Sequence, residues 1–509
     1  MFGARREIPI SRTSRASSRA TRPAFPHWQF QRDIGQLDRA VNDLRRRAPD
    51  FSAASPLLMW QRIVLLLALS LLTAGLIVLD DFGLVLWSLT IAVPFLMISV
   101  LRLAALWRAV RRPREPPDPS WLDRRYDDRL PTFSVLVPVY REVSIARTLV
   151  SAMSRFDYPS DRLEILFITE ADDMRTRRAL LDAGLAGNMR VVTVPPGQPK
   201  TKPRALNYAL QDARGTLVAV FDAEDHPDPD QLRLAAIAFV LGGPRLACVQ
   251  ARLTVSNPDD SFLSRQFMLE YAALFGGVLP ALDYLDLPIP LGGTSNHFRR
   301  DVLLKCGGWD PFNVTEDADL GIRLARLGYD VSVIDSETME EAPVRWRIWL
   351  GQRTRWIKGW MQTYLVHMRR PFRLWRDLGA RRFVGFQMTI CATLISMLAH
   401  PWFYILAGLH GALGSRVLPE SHILVWLFGG NLLAGYGSAA LLIMVTSQGS
   451  EFSGRLFSIF FLPVYWLAIS IAAYRAVLDL VRRPYFWEKT MHGAAGRISG
   501  KRSRKGGRG

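Results

Sequence analysis

Three short runs of this sequence could do chemistry together: Phe221-Asp222-Ala223-Glu224-Asp225, Thr315-Glu316-Asp317 and Gln352-Arg353-Thr354-Arg355-Trp356. In the first, an apolar strand-like run delivers three acids to a turn, where they repel one another unless a cation sits among them. Mg²⁺ and Mn²⁺ suit such a place, since they take hard oxygen ligands and often only one or two carboxylates. Asp222 is the firm metal candidate, with Glu224 or Asp225 as its partner. In the second run, Asp317, next to Glu316, could serve as a general base that takes a proton from an attacking hydroxyl. The plainer alternative is a helix start, with Thr315 as N-cap and acids in the first turn. In the third run, Gln352, Arg355 and Trp356 fall at one-turn spacing and project towards one side of a helix. Arg355 can pair with phosphate oxygens, and Trp356 offers a flat apolar face. Lys202 opens another helix, where its charge and the free backbone N–H groups suit an anion.

The segments that must position these groups alternate in character. Phe133–Val139, Leu163–Thr169, Arg190–Val194 and Leu217–Phe221 are β-branched or apolar runs. Helical patterns at 145–154, 176–186 and 205–213 separate them. Alternation of this kind predicts an α/β fold with a doubly wound, parallel sheet, whose ligands lie beyond the carboxyl ends of the strands. Tyr140 and Glu142 follow the first strand, and Glu170 and Asp172 follow the second. Asp222 follows the fourth. The acids after the second strand could instead cap the helix near Thr176.

In this order, and with apolar spans on both sides, the motifs resemble those of membrane-embedded family 2 glycosyltransferases, the cellulose, chitin and hyaluronan synthases. The resemblance runs from about Thr132 to Met368, plus the flanking spans. It implies a cytoplasmic nucleotide-diphospho-sugar transferase domain inserted between transmembrane helices. The implied activity is inverting, processive transfer of a sugar onto a growing polysaccharide, with Mg²⁺ or Mn²⁺ as cofactor. By the same resemblance Tyr140, Glu142, Glu170, Asp172, Lys202, Asp222 and Arg355 contact the donor. Arg141 stands where the family more usually has Asn. Gly293, Thr294, Gln352 and Trp356 face the acceptor, and Asp317 is the base. The expected partners are a UDP-sugar, a glycan acceptor and the lipid bilayer. Single transfer to a lipid or polyprenyl phosphate stays open, as does a non-catalytic membrane receptor on the same scaffold.

A formal charge of +18 could point to nucleic acid, but the basic residues cluster beside apolar spans, where they set topology and meet anionic headgroups. The three cysteines lie far apart with no metal-ligand spacing. The chain divides into a basic arm (1–57) and an apolar hairpin (58–110). The transferase domain (111–345) and interfacial helices (346–382) follow, then further spans (383–480) and a basic tail (481–509). The arm reads as a solvated tail with an amphipathic helix over 34–47. The charges flanking the hairpin place both its ends, and the transferase domain, on the cytoplasmic side of a bacterial-type inner membrane. Three later apolar blocks would leave the tail outside, yet its Lys and Arg belong inside. The block around His400-Pro401 is therefore expected to be re-entrant or interfacial.

Overall fold

The computed structural model describes residues 27–55, 57–78, 81–111, 124–413, 422–447 and 456–485. The first part of the basic arm, the proline-rich linker over 113–119 and the tail beyond 485 lie outside the described residues.

Eight strands form one sheet: β1 (Phe133–Val139), β2 (Leu163–Glu170), β3 (Met189–Val194), β4 (Leu217–Val220), β5 (His226–Pro227), β6 (Leu246–Val255), β7 (Asn296–Arg299) and β8 (Asp330–Glu340). Their order is β3-β2-β1-β4-β7-β6-β8-β5. The first four are parallel, as the alternation of strands and helices predicts. The sheet then becomes mixed, because β7 runs antiparallel to both β4 and β6. Successive side chains of a strand point to opposite faces. Leu136, Val218 and Val220 thus enter one core cluster, while Val135, Val137 and Ala219 enter the other. Burial on both faces explains why these strands read as nearly continuous apolar runs.

Strand direction gathers the functional segments. β1, β2 and β4 all end at one edge, which delivers Tyr140, Glu170 and Asp222 there. Because β7 is antiparallel, its start meets the end of β4, with Asn296 opposite Val220. Gly293 and Thr294 therefore arrive at the same edge.

The N-terminal helix His27–Arg47 departs from the expectation of a solvated tail. Leu37, Ala40, Val41 and Leu44 form a stripe at helical spacing, and the last three are buried. That stripe lies on the transferase domain, where Gln36 donates to Tyr208 O of the helix Lys202–Leu210.

Four helices among the described residues are long and apolar enough to cross a membrane, over Leu89–Arg111, Pro371–Ile405, Gly429–Thr446 and Phe457–Arg482. A helix over Met59–Val78 precedes them. The suspected break at Pro401 is absent: the helix Ala392–Leu413 runs through it. His400 stacks on Phe95, with ring centroids 6.3 Å apart, and bonds the Tyr436 hydroxyl at 2.5 Å. Packing from neighbouring helices can stabilise a helix that proline would otherwise interrupt.

Candidate active site

A cavity of about 460 Å³ opens at that sheet edge. Tyr140, Glu142, Glu170, Lys202, Asp222, Glu224, Gly293, Thr294, Glu316, Asp317, Gln352, Arg355 and Trp356 all line it. Groups from segments over 200 residues apart in sequence thus share one space.

Lys202 is at its centre. Its ammonium lies 2.7 Å from Asp222 Oδ1 and donates to Gly293 O at 2.6 Å. Burial opposes the lysine's charge, but Asp222, Asp317 and Glu316 more than offset that and hold its pKa above the ordinary value. The acids show the reverse. Burial, reinforced by the charge of Asp222, pushes Glu224 up to about 8. Burial and neighbouring Glu316 raise Asp317 well above the usual carboxylate range, against the pull of Lys202. Raised carboxyl groups in a cleft mark a site that an incoming cation would relax. Arg355 faces the same acids; burial lowers its pKa while Glu316 and Asp222 counteract.

Asp317 sits in the first turn of the helix Glu316–Arg326, and its Oδ1 is buried without a hydrogen-bond partner. Thr315 makes no side-chain cap bond, so N-capping does not account for this motif. Its hydroxyl instead packs against Gly359 of the helix Trp346–His367. A Cβ on Gly359 would come within 2.2 Å of Thr315 Oγ1. That close approach sets the turn that carries Asp317 against the helix that carries Gln352, Arg355 and Trp356.

Two expected site residues lie apart from the cavity wall. Asp172 is on the rim, where Lys200 Nζ meets it at 2.6 Å. Asp225 is 1% exposed and faces inward, accepting from Asp222 N at 2.6 Å and from the Thr294 hydroxyl. It braces the turn that presents Asp222 and Glu224. Among the described residues no group of three or more His, Cys, Asp or Glu side chains is arranged to hold a metal.

The sequence reading missed several neighbours. Lys200 donates to Tyr140 Oη at 2.8 Å and lies over its ring at 4.1 Å. Arg204, with no exposed side chain, pairs with Glu170 and so fixes the acid at the end of β2. Glu340, Glu341 and Tyr271 complete the far wall. Both cations lie within two residues of Lys202, a clustering that could have flagged them.

Residues 131–359 match the model described as glycosyltransferase like family 2. This segment is a family 2 glycosyltransferase domain. The probable glycosyltransferase YdaM of Bacillus subtilis is 30% identical over 268 residues, 51% of this chain and 61% of that protein. The beta-monoglucosyldiacylglycerol synthase of Trichormus variabilis is 27% identical over 294 residues, 55% of this chain and 60% of that one. Cellulose synthase 1 of Komagataeibacter xylinus is 26% identical over 259 residues, 49% of this chain but 16% of its own length. The matches to the first two thus span about three fifths of those relatives. The chain shares its fold with the mannosyltransferase PcManGT of Pyrobaculum calidifontis, solved with GDP-Man and Mn²⁺. The TM-score is 0.50 at 18% identity, covering 77% of this chain and 98% of that one.

A second cavity of about 290 Å³ lies among the apolar helices. It shares Tyr271, Leu274, Leu279, Pro290, Trp356 and Trp360 with the glycosyltransferase cavity as common wall. Gln266, Ser396, His400 and Arg353 line it, and each holds a buried polar atom without a hydrogen-bond partner.

Proposed function

We propose that the chain is an inverting glycosyltransferase that moves a sugar from a nucleotide diphosphate donor onto a growing glycan. The convergence of Lys202, Asp222, Asp317 and Arg355 on one cavity carries this reading. Asp222 and Glu224 would hold Mg²⁺ or Mn²⁺, because both line the cavity and a cation would offset the burial of Glu224 and its repulsion with Asp222. The bound cation would neutralise the diphosphate as it departs.

Lys202 and Arg355 grip the diphosphate oxygens with charge-assisted hydrogen bonds. Tyr140, Glu142 and Glu170 border the nucleotide, with Asp172 at the rim. Asp317 accepts the proton of the acceptor hydroxyl, whose oxygen attacks the anomeric carbon from the face opposite the leaving group. The bond between that carbon and the diphosphate oxygen breaks, and its electron pair leaves with the nucleotide. Gly293, Thr294, Gln352 and Trp356 face the acceptor.

The adjoining cavity supports processive transfer coupled to passage through the membrane. Its aromatic wall can stack sugar rings, and its unpartnered polar atoms can bond hydroxyls. A bacterial inner membrane with the transferase domain in the cytoplasm suits a nucleotide-sugar donor. UDP-glucose leads among donors, with UDP-N-acetylglucosamine and GDP-mannose next. A second reading is transfer of one sugar to a lipid, which the aliphatic share of that wall and the diacylglycerol named in several relatives both favour.

The test incubates the purified chain with labelled nucleotide sugars and separates products by size and by solvent extraction. A ladder of polymer supports processive transfer. A single labelled lipid supports the second reading, and no transfer from any donor overturns both.

A further inference from the structure

Lys202, Asp317 and Arg355 stand on three different helices. At the cavity the Thr201 hydroxyl donates to Pro311 O at 3.3 Å and Thr315 packs on Gly359, and a second set of contacts ties the helices together from behind. Behind the cavity wall, one run of chain touches all three. Gln36 Nε2 donates to Tyr208 O at 3.1 Å, and Gln36 O accepts from Gln211 Nε2 at 2.9 Å, at the end of the Lys202 helix. Ala53 N and Ser52 Oγ donate to Asp310, at 2.5 and 3.2 Å, in the loop that leads to Asp317. Gln61 Nε2 donates to Leu365 O at 2.7 Å, near the end of the helix that carries Arg355.

Asn207 joins these contacts. It lies five residues after Lys202 on the same helix and is 8% exposed. Its Nδ2 donates to Trp309 O at 2.7 Å and to Ala40 O at 3.0 Å, while its Oδ1 accepts from Trp309 N at 3.0 Å. The loop comes so close that a Cβ on Gly308, whose φ is +66°, would lie 2.3 Å from Asn207 Oδ1. The side-chain amide therefore pins the Trp309 backbone on both of its polar groups and the N-terminal helix on a third bond. None of Gln36, Asn207, Asp310 or Gln61 lines the cavity.

We propose that residues 36–55 and 57–61, joined through Asn207, form an intramolecular clamp that helps set the distance between the diphosphate-holding Lys202 and the base Asp317. Asn207 is a positioning residue: it touches neither donor nor acceptor and acts through the two helices it joins. The proposal rests on the roles given above to Lys202 and Asp317. Misplacing reacting groups by about 1 Å can cost on the order of 100-fold in rate while leaving binding groups in place.

The test uses the full chain in nanodiscs, with Asn207→Leu as the main variant and the milder Gln36→Ala as the second. With the active nucleotide sugar, Asn207→Leu should lower kcat by roughly tenfold or more, with donor KM nearly unchanged. Gln36→Ala should move kcat in the same direction by less. Hydrogen exchange, which needs no turnover, should rise over 306–319 in both variants. Folded variants with wild-type kcat, or equal losses in kcat and donor affinity, would overturn the clamp, as would unchanged exchange over 306–319. Wild-type protein that transfers no sugar from any donor would instead overturn the proposed function.

Discussion

At Asp317 the unpartnered Oδ1 and the raised pKa suit the proposed role of general base. Asp317→Asn should cut turnover by about 10²–10⁴-fold and spare donor binding, because a base acts on the acceptor. Isothermal titration with the nucleotide diphosphate, set beside the turnover assay, checks this; equal loss of both would make Asp317 a binding residue. Activity should fall as pH drops through the raised pKa of Asp317, above the ordinary aspartate value of about 4. Lys202→Met should move that acid limb to still higher pH, since the lysine's charge lowers the Asp317 pKa. Asp310, outside the cavity, gives a separate stability signal. Burial and the nearby charge of Asp319 raise it to about 6 from an unfolded 3.8. The folded state then holds the proton more tightly, so this contribution is complete below the unfolded value and is lost as pH rises through about 6. Asp310→Asn should flatten the thermal-midpoint profile across that window; an unchanged slope would remove Asp310 as its source.

Among the elements, the contact of Gly359 with Thr315 places the turn that carries Asp317 against the Gln-x-x-Arg-Trp helix. Gly359→Ala forces a methyl into 2.2 Å contact with Thr315 Oγ1. The strain should be about 1–3 kcal/mol, visible as a lower thermal midpoint together with reduced turnover. Wild-type values for both would mean that the helix can shift freely. The first four strands were legible because burial on both faces demands long β-branched runs, as in Phe133–Val139 and Leu163–Glu170. β7 was not legible: Asn296–Arg299 is four residues long, and His297 and Arg299 break its apolar pattern. The carboxylates and Arg355 could be found because spacing within a motif survives in one dimension. The inward turn of Asp225 could not, since it depends on Thr294, 69 residues away. The docking of the N-terminal helix was half legible: the stripe of Leu37, Ala40, Val41 and Leu44 announces a buried face but names no partner.

For the whole molecule, topology and catalysis make separate predictions. The last described residues run back to the transferase domain: Lys358 Nζ donates to Arg483 O at 3.3 Å and Gln362 Nε2 to Pro484 O at 3.0 Å. The ring of Tyr485 meets that of Phe312 at 5.9 Å, four residues before Glu316. The basic tail that follows should therefore share a compartment with the active site. A reporter active only in the periplasm, fused after Gly509, should stay silent; a strong signal would place the tail on the other side. The central claim is that one cavity holds a divalent cation and a nucleotide sugar between Asp222, Glu224 and Lys202. Its most direct test is sugar transfer by the purified chain with Mn²⁺ or Mg²⁺, with excess chelator, and by a folded Asp222→Asn variant with the metal restored. Transfer should require the cation and should be abolished in the variant; full activity in chelator, or in Asp222→Asn, would contradict it.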